Sequence, residues 1–135
     1  MEIDHLAVPV GTYAESKRFY ERALEPLGFS TLLDWPHRRR AFLGLAGEPS
    51  SLWLCESDSA GSLELSLTAA DPQAVEAFHT AAVSAGARTA DEPGIRAEYS
   101  RDYYAARVLD PDGNSIEAVF RGDATAVARR TPLAA

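Results

Sequence analysis

Three widely separated side chains of this sequence, His5, Glu64 and Glu117, have the types needed to hold a divalent metal ion. Each lies in a short segment that alternates apolar and polar residues, respectively "EIDHLAVPV", "SLELSLTA" and "DPDGNSIEAVF". One imidazole and two carboxylates form a ligand set for a divalent ion that leaves positions for a chelating substrate and for water. We therefore expect a divalent metal ion here, with Fe, Mn, Ni or Zn as candidates.

Each of the three residues also has a second interpretation. Glu64 could be the general base that moves a proton beside the metal, or simply a carboxylate on a solvated sheet face. Glu117 could be a rim carboxylate paired with Arg107 on a neighbouring strand. His5 could be a half-buried histidine bonded to backbone. The residue types alone leave these alternatives open.

Aromatic side chains are predicted to shape a substrate pocket around these residues. The segment "RAEYSRDYY" (96–104) places Tyr99, Tyr103 and Tyr104 among charges, which suits a wall that supplies both apolar area and phenol hydrogen bonds. Trp53 is the fourth aromatic residue assigned to substrate binding. The tyrosine segment could equally be a dimer contact or ordinary loop packing.

A basic run, "PHRRR", interrupts an otherwise acidic chain at 36–40. Such a run is typical of a solvated strand start. It could also steer an anionic substrate towards the mouth of a binding site.

The elements that must position these residues occur twice, in the same order. Each half reads strand, helix, strand, strand, strand, and an offset of 59 residues places His5 on Glu64 and Phe19 on Phe78. The predicted strands are 2–10, 29–35, 39–45, 51–56, 62–69, 87–90, 103–109 and 115–121.

The two helices carry start and stop signals. Thr12 and Glu15 have the spacing of a capping box before the first helix, and Pro26 to Gly28 ends it. Asp71 is the predicted N-cap of the second helix and Gly86 follows its last turn.

This order predicts an α+β fold of two βαβββ modules that form a cupped mixed sheet with the helices on its outer face. The face of each first strand that carries His5 or Glu64 is opposite the Leu and Val residues that should pack on a helix. A site on the inner, concave face would then bring together residues that are distant in sequence. We expect one domain over 1–121, with modules 1–57 and 60–121 and a C-terminal tail at 122–135.

Composition limits the classes of partner. The chain has 135 residues and a formal net charge of −7, which argues against nucleic acid, because binding to phosphates depends on clustered Lys and Arg. Its one cysteine, Cys55, excludes an intrachain disulfide and a cysteine-based zinc site. No signal segment and no apolar run long enough for a bilayer is evident, so we expect a cytoplasmic protein without a membrane partner.

Four segments give the chain a family resemblance: "IDHLAVPV", "SKRFYERALEPLGF", "TAADPQAVEAFHTAAVSAGA" and "YYAARVLDPDGNSIEAVF". In this order and spacing they resemble the vicinal oxygen chelate superfamily, which includes glyoxalase I, bleomycin-resistance proteins, fosfomycin-resistance enzymes and extradiol dioxygenases. The resemblance covers residues 2–121.

The resemblance implies a divalent metal held by residues on the first and last strands of both modules. His5 and Glu117 match two such positions, whereas Glu64 stands where many relatives have a second His. Trp53, at the position equivalent to Glu117, cannot ligate, and Ser100 stands where close relatives often have a further His. These departures weaken the match to a metal site.

Two functions follow as expectations. The first is a metal-dependent lyase, isomerase or dioxygenase that acts on a small oxygen-chelating molecule. The alternative is a metal-free protein of the bleomycin-resistance type that sequesters a small aromatic or acidic compound. In either case we expect a small-molecule ligand and, by analogy with relatives, a homodimer.

Overall fold

The computed structural model describes residues 1–122, so almost all of the predicted tail lies outside the described residues. Short 3₁₀ turns at 25–27 and 36–38 accompany eight strands and two helices. These elements are β1 (His5–Val10), α1 (Tyr13–Ala23), β2 (Phe29–Trp35), β3 (Arg40–Leu45), β4 (Ser51–Glu56), β5 (Glu64–Thr68), α2 (Pro72–Ser84), β6 (Arg88–Ile95), β7 (Tyr104–Leu109) and β8 (Ser115–Phe120).

The strands form two four-stranded sheets with the same topology. Their orders are β1-β4-β3-β2 and β5-β8-β7-β6. The pairs β1·β4 and β5·β8 are parallel, and all other neighbouring pairs are antiparallel. Ala7 pairs with Trp53 in the first sheet as Ser66 pairs with Glu117 in the second, so Trp53 and Glu117 are equivalent positions. The predicted α+β fold of two βαβββ modules is confirmed.

One hydrophobic core joins both modules. The helix-facing residues of the strands, such as Val8, Leu43 and Ile116, pack in a single cluster with Phe19 of α1 and Phe78 of α2. Burial of side chains of this size contributes about 1.5–3 kcal/mol each. The helices therefore cover one face of each sheet and leave the other face to the candidate site residues.

The predicted capping box of α1 is wrong. Thr12 makes no side-chain hydrogen bond at the helix start. The backbone N–H of Tyr13 instead donates to Glu56 Oε2 at 2.9 Å, and that of Gly11 donates to Asp112 Oδ2 at 2.9 Å. The Glu56 carboxylate thus satisfies the N–H of the first helical residue, and the Asp112 carboxylate satisfies the N–H of the residue before Thr12.

The predicted cap of α2 is confirmed. Asp71 Oδ1 accepts from the N–H of Ala74 at 2.7 Å, Pro72 occupies the first turn, and Gly86 follows the helix with a left-handed φ of 113°.

The turn "DPDGN" joins the two modules. Tyr20 of α1 donates to Asp110 Oδ2 at 2.5 Å in a buried bond. Asn114, with no exposed surface, donates to the carbonyl of Pro9 at 3.1 Å and accepts from the N–H groups of Gly61 and Leu63. This turn is therefore a structural connection between the first strand and helix of one module and the entry to the other.

Strand β6 runs longer than expected, to Ile95 rather than 90. Asp91, Pro93 and Gly94 argue against a strand in sequence, but β6 is an edge strand with two register shifts, where such residues are tolerated. Within 1–122, no helix combines the length and apolar character needed to cross a membrane.

Candidate functional site

In each sheet, the face that α1 and α2 leave uncovered is called here the helix-free face. A polar cavity of about 510 Å³ opens on this face of the second sheet. Its walls carry charges of both signs and phenol rings. The charged and phenol side chains that line it include Glu64, Glu117, Arg107, Arg121, Tyr99 and Tyr103. The structure thus places four of the predicted site residues, Glu64, Glu117, Tyr99 and Tyr103, around one cavity.

Glu117 is held by two hydroxyl donors. Tyr103 donates to its Oε1 at 2.6 Å and Ser66 donates to the same oxygen at 2.7 Å. Burial, followed by the hydrogen bond to Glu117, raises the pKa of Tyr103 to about 12. Tyr103 is therefore a stable donor over the whole neutral range, and it fixes the orientation of the carboxylate.

Arg107 lies opposite Glu117 in the strand register but makes its ion pair elsewhere. Its Nε donates to Asp91 Oδ2 at 2.8 Å and its guanidinium also donates to Ser115 Oγ at 3.2 Å. The hydrogen bond to Asp91 raises the pKa of Arg107, and the charges of Glu64 and Glu117 act in the same direction. The Arg107–Glu117 ion pair, the alternative role for Glu117, is therefore not formed, and the two charges attract without a direct contact.

The tyrosines differ in position. Tyr103 packs against Tyr99, with ring centroids 4.8 Å apart, and the Arg121 guanidinium lies 4.8 Å from the Tyr103 ring centroid. Tyr99 is 64% exposed at the mouth. Tyr104 lies on the helix side of the sheet, where its hydroxyl donates to Glu76 of α2 at 2.7 Å, so the structure does not bring it to the cavity.

The helix-free face of the first sheet carries a row of aromatic rings, which we call the aromatic column: His5, Trp53, Phe42 and Trp35. The His5 and Trp53 rings stack with centroids 3.6 Å apart and an interplanar angle of 7°. The Trp53 and Phe42 rings stack at 4.3 Å and 7°, and Trp35 follows Phe42 at 5.6 Å and 57°.

Strand pairing explains the column. Trp53 of β4 is directly opposite Phe42 of β3, and β1 supplies His5 on the other side of β4. Because the rings stack face to face across neighbouring strands, their planes stand upright on the sheet and their edges point away from it. Ser51 Oγ accepts from Trp53 Nε1 at 2.9 Å and fixes the tilt of the indole.

His5 is a stacked, partly exposed residue at the end of the column. Its Nδ1 lies 2.8 Å from Asp4 Oδ1, and its side chain is 39% exposed. The bond is therefore to a neighbouring carboxylate rather than to backbone.

The predicted metal ligands lie on different sheets: His5 on the first, Glu64 and Glu117 on the second. Within residues 1–122, no group of three or more His, Cys, Asp or Glu side chains is arranged to hold a metal ion. The donor set does not fit a metal site built within one chain, and the assignment of these residues as ligands stays a prediction.

A second, apolar cavity of about 260 Å³ lies between the modules. Leu6 and Leu52 line it from the first sheet, and Leu65 and Leu67 from the second. Ser66 borders both this cavity and the polar one, so the two cavities adjoin.

Sequence reasoning named Trp53 but missed Phe42 and Trp35. The signal was present, because Phe42 and Trp53 alternate with the buried Leu43, Leu52 and Leu54 and so had to share the helix-free face. What the sequence did not show was the register that aligns them.

Comparison with known proteins shows which protein family this chain matches. Residues 2–118 match the model of the Glyoxalase/Bleomycin resistance protein/Dioxygenase superfamily. A search of curated proteins found no match.

Solved structures support the same assignment. A glyoxalase/bleomycin resistance protein from Albidiferax ferrireducens is 27% identical, with a TM-score of 0.74, and the match covers 89% of this chain and 98% of that one. TnmS3, an antibiotic binding protein from a Streptomyces species, is 28% identical, with a TM-score of 0.68 and coverage of 90% and 97%. A glyoxalase/bleomycin resistance protein from a Streptomyces species is 30% identical, with a TM-score of 0.62 and coverage of 85% and 96%. This chain therefore belongs to the Glyoxalase/Bleomycin resistance protein/Dioxygenase superfamily.

Proposed function

We propose that this protein binds and sequesters a small planar aromatic molecule on the aromatic column, as a metal-free binder of the bleomycin-resistance type. The observation that carries the proposal is the upright stack of His5, Trp53 and Phe42 on the sheet face that α1 and α2 leave uncovered. The similarity to TnmS3, which is an antibiotic binding protein, favours the same class of function.

The stack suits a flat ligand for a physical reason. Ring edges carry partial positive charge and ring faces partial negative charge, so a flat ligand laid across three upright rings makes edge-to-face contacts with each. Such contacts contribute about 0.5–1.5 kcal/mol per pair beyond the buried area. The rings already hold one another in place, and Ser51 holds Trp53, so little side-chain entropy is lost on binding.

Binding can be followed with the two tryptophans of the chain, because Trp35 and Trp53 both belong to the column. We would titrate the protein with a naphthamide, a neutral planar probe, in a buffer with a metal chelator, and record the two indole N–H signals in proton–nitrogen correlation spectra. We expect saturable shifts of both signals.

Variants make the test specific. Trp53→Ala should lower naphthamide affinity by at least about tenfold. The variant removes the central ring of the aromatic column and its stacking contacts with His5 and Phe42. Ile95→Ala, which trims an exposed apolar side chain on β6, is the matched control and should leave affinity within about twofold. Equal binding by wild type and the folded Trp53→Ala variant would reject the column as the site.

The enzyme alternative rests on a different observation, the pair Glu64 and Glu117 in the polar cavity. Purified protein would be reconstituted separately with Fe²⁺, Mn²⁺, Ni²⁺ and Zn²⁺ and its metal content measured. Stoichiometric metal that is lost in both His5→Ala and Glu117→Ala would support this alternative.

We also propose a cytoplasmic location, in which the free thiol of Cys55 stays reduced.

A further inference from the structure

The end of the aromatic column at Trp35 lies beside two arginines. Arg40 is directly opposite Trp35 on one side and Cys55 on the other, so its side chain shares the helix-free face with the column. The Arg38 guanidinium carbon lies 5.8 Å from the Trp35 ring centroid. Trp35 itself is 44% exposed.

Arg38 and Arg40 differ in ion pairing from Arg39, which lies between them in the sequence. Arg39 adopts a left-handed φ of 51°, and its Nη1 donates to Glu56 Oε1 at 3.0 Å. Neither Arg38 nor Arg40 has an ion pair with a carboxylate within residues 1–122. Two uncompensated cations therefore flank one ring in a chain whose net charge is −7.

We propose that Arg38 and Arg40 form an anion subsite at the Trp35 end of the column, and that the ligand is a planar aromatic molecule bearing a carboxylate or similar oxyanion. This inference rests on the proposed aromatic binding and adds the chemical class of the ligand. A flat ring system over His5, Trp53 and Phe42 extends along the column towards Trp35, so a substituent at that end meets the guanidiniums.

Arginine suits this role because its planar guanidinium presents parallel N–H donors that match the two oxygens of a carboxylate. The residues are exposed, so the gain is modest compared with a buried pair. Arg38 adds a stacked cation on Trp35, which holds that side chain over the ring.

The test compares a naphthoate with the naphthamide probe, since the two differ mainly in charge. At low ionic strength the wild-type protein should bind the naphthoate about five- to tenfold more tightly than the naphthamide. Arg40→Gln and Arg38→Gln should each reduce this preference by at least about twofold and should together abolish it. Arg39→Gln removes the same charge from the same turn, but at a residue paired with Glu56, and should keep the preference.

The outcomes separate the two proposals. Equal affinity for both probes in the wild type would overturn the anion subsite and leave aromatic binding intact. Naphthoate binding that survives in Trp53→Ala, with no naphthamide binding in the wild type, would overturn aromatic binding on the column. If Arg39→Gln lowers the preference as much as Arg40→Gln, the effect is general charge attraction and the subsite is rejected. Indole shifts that depend on protein concentration, with neither probe bound, would identify the column as a contact between chains and overturn both proposals.

Discussion

Tyr103 shows how one hydroxyl can order a polar cavity. Its hydrogen bond to Glu117 persists only while the phenol is protonated, and its pKa is raised to about 12 in the folded protein. In the unfolded chain a tyrosine has a pKa of about 10. A raised pKa means that this contribution to stability is complete below pH about 10 and is lost as the pH rises towards about 12.

We expect Tyr103→Phe to remove part of the alkaline loss of stability. The free energy of unfolding, measured by denaturant titration between pH 8 and 12, should fall less steeply in the variant than in the wild type.

Glu117→Gln is the complementary change. It should lower the pKa of Tyr103, observed as tyrosinate absorbance at lower pH, because the negative charge beside the phenol is gone. An unchanged titration curve in Glu117→Gln would contradict this coupling.

The buried side chain of Asn114 joins several segments of the chain through hydrogen bonds. Its amide bridges the carbonyl of Pro9, the N–H groups of Gly61 and Leu63, and the carboxylate of Asp110. Asn114→Ala should lower the free energy of unfolding by about 2–4 kcal/mol, because several buried polar groups lose their partners. Thr80→Ala on the exposed side of α2 is the control and should stay within about 0.5 kcal/mol. A loss below about 1 kcal/mol in Asn114→Ala would show that other groups replace the bridge.

Helix α1 depends on a carboxylate that follows β7, about a hundred residues away. Asp112 accepts from the N–H of Gly11, just before the helix, and from the hydroxyl of Ser16 within it, and so connects the start of α1 to the turn after β7. Asp112→Ala should destabilise the protein by about 1 kcal/mol, the usual net contribution of a hydrogen bond. Asp112→Asn keeps an acceptor oxygen and should cost less than half as much. Equal losses in thermal unfolding for the two variants would assign the effect to charge rather than to the hydrogen bond.

At the scale of elements, the sequence was informative wherever the signal was local. Strands β2 and β4 and the cap of α2 could be predicted because alternation, Asp71 and Pro72 act within a few residues. The cap of α1 could not, since its partners come from β4 and from the turn after β7. The same limit applies to the site. The repeat implied one surface for His5, Glu64 and Glu117, but the polar cavity contains only the two glutamates and His5 lies on the other sheet. The aromatic column depends on register, which no local pattern specifies.

Within residues 1–122 the two sheets have four edge strands, β1 and β2 in the first and β5 and β6 in the second. Strands β1 and β5 each end a sheet, and within residues 1–122 the two do not pair with each other. Exposed apolar side chains accompany the β1 edge: Ile3 is 58% exposed and borders the apolar cavity between the modules. Open edges and exposed apolar groups favour association with a further strand or surface.

We expect the protein to form a homodimer through the surface that includes the β1 edge. Sedimentation velocity should show a dimer at micromolar concentration, and Ile3→Asp should raise the dissociation constant by at least about tenfold, because the variant buries a charge in an apolar contact. Val83→Asp, which places the same charge on an exposed apolar position of α2, is the matched control. Each chain carries a net charge of −7, so added salt should strengthen the dimer by screening repulsion between the chains. A monomer at all concentrations and salt levels would refute the dimer, whereas a dimer that Ile3→Asp and Val83→Asp affect equally would place the interface elsewhere.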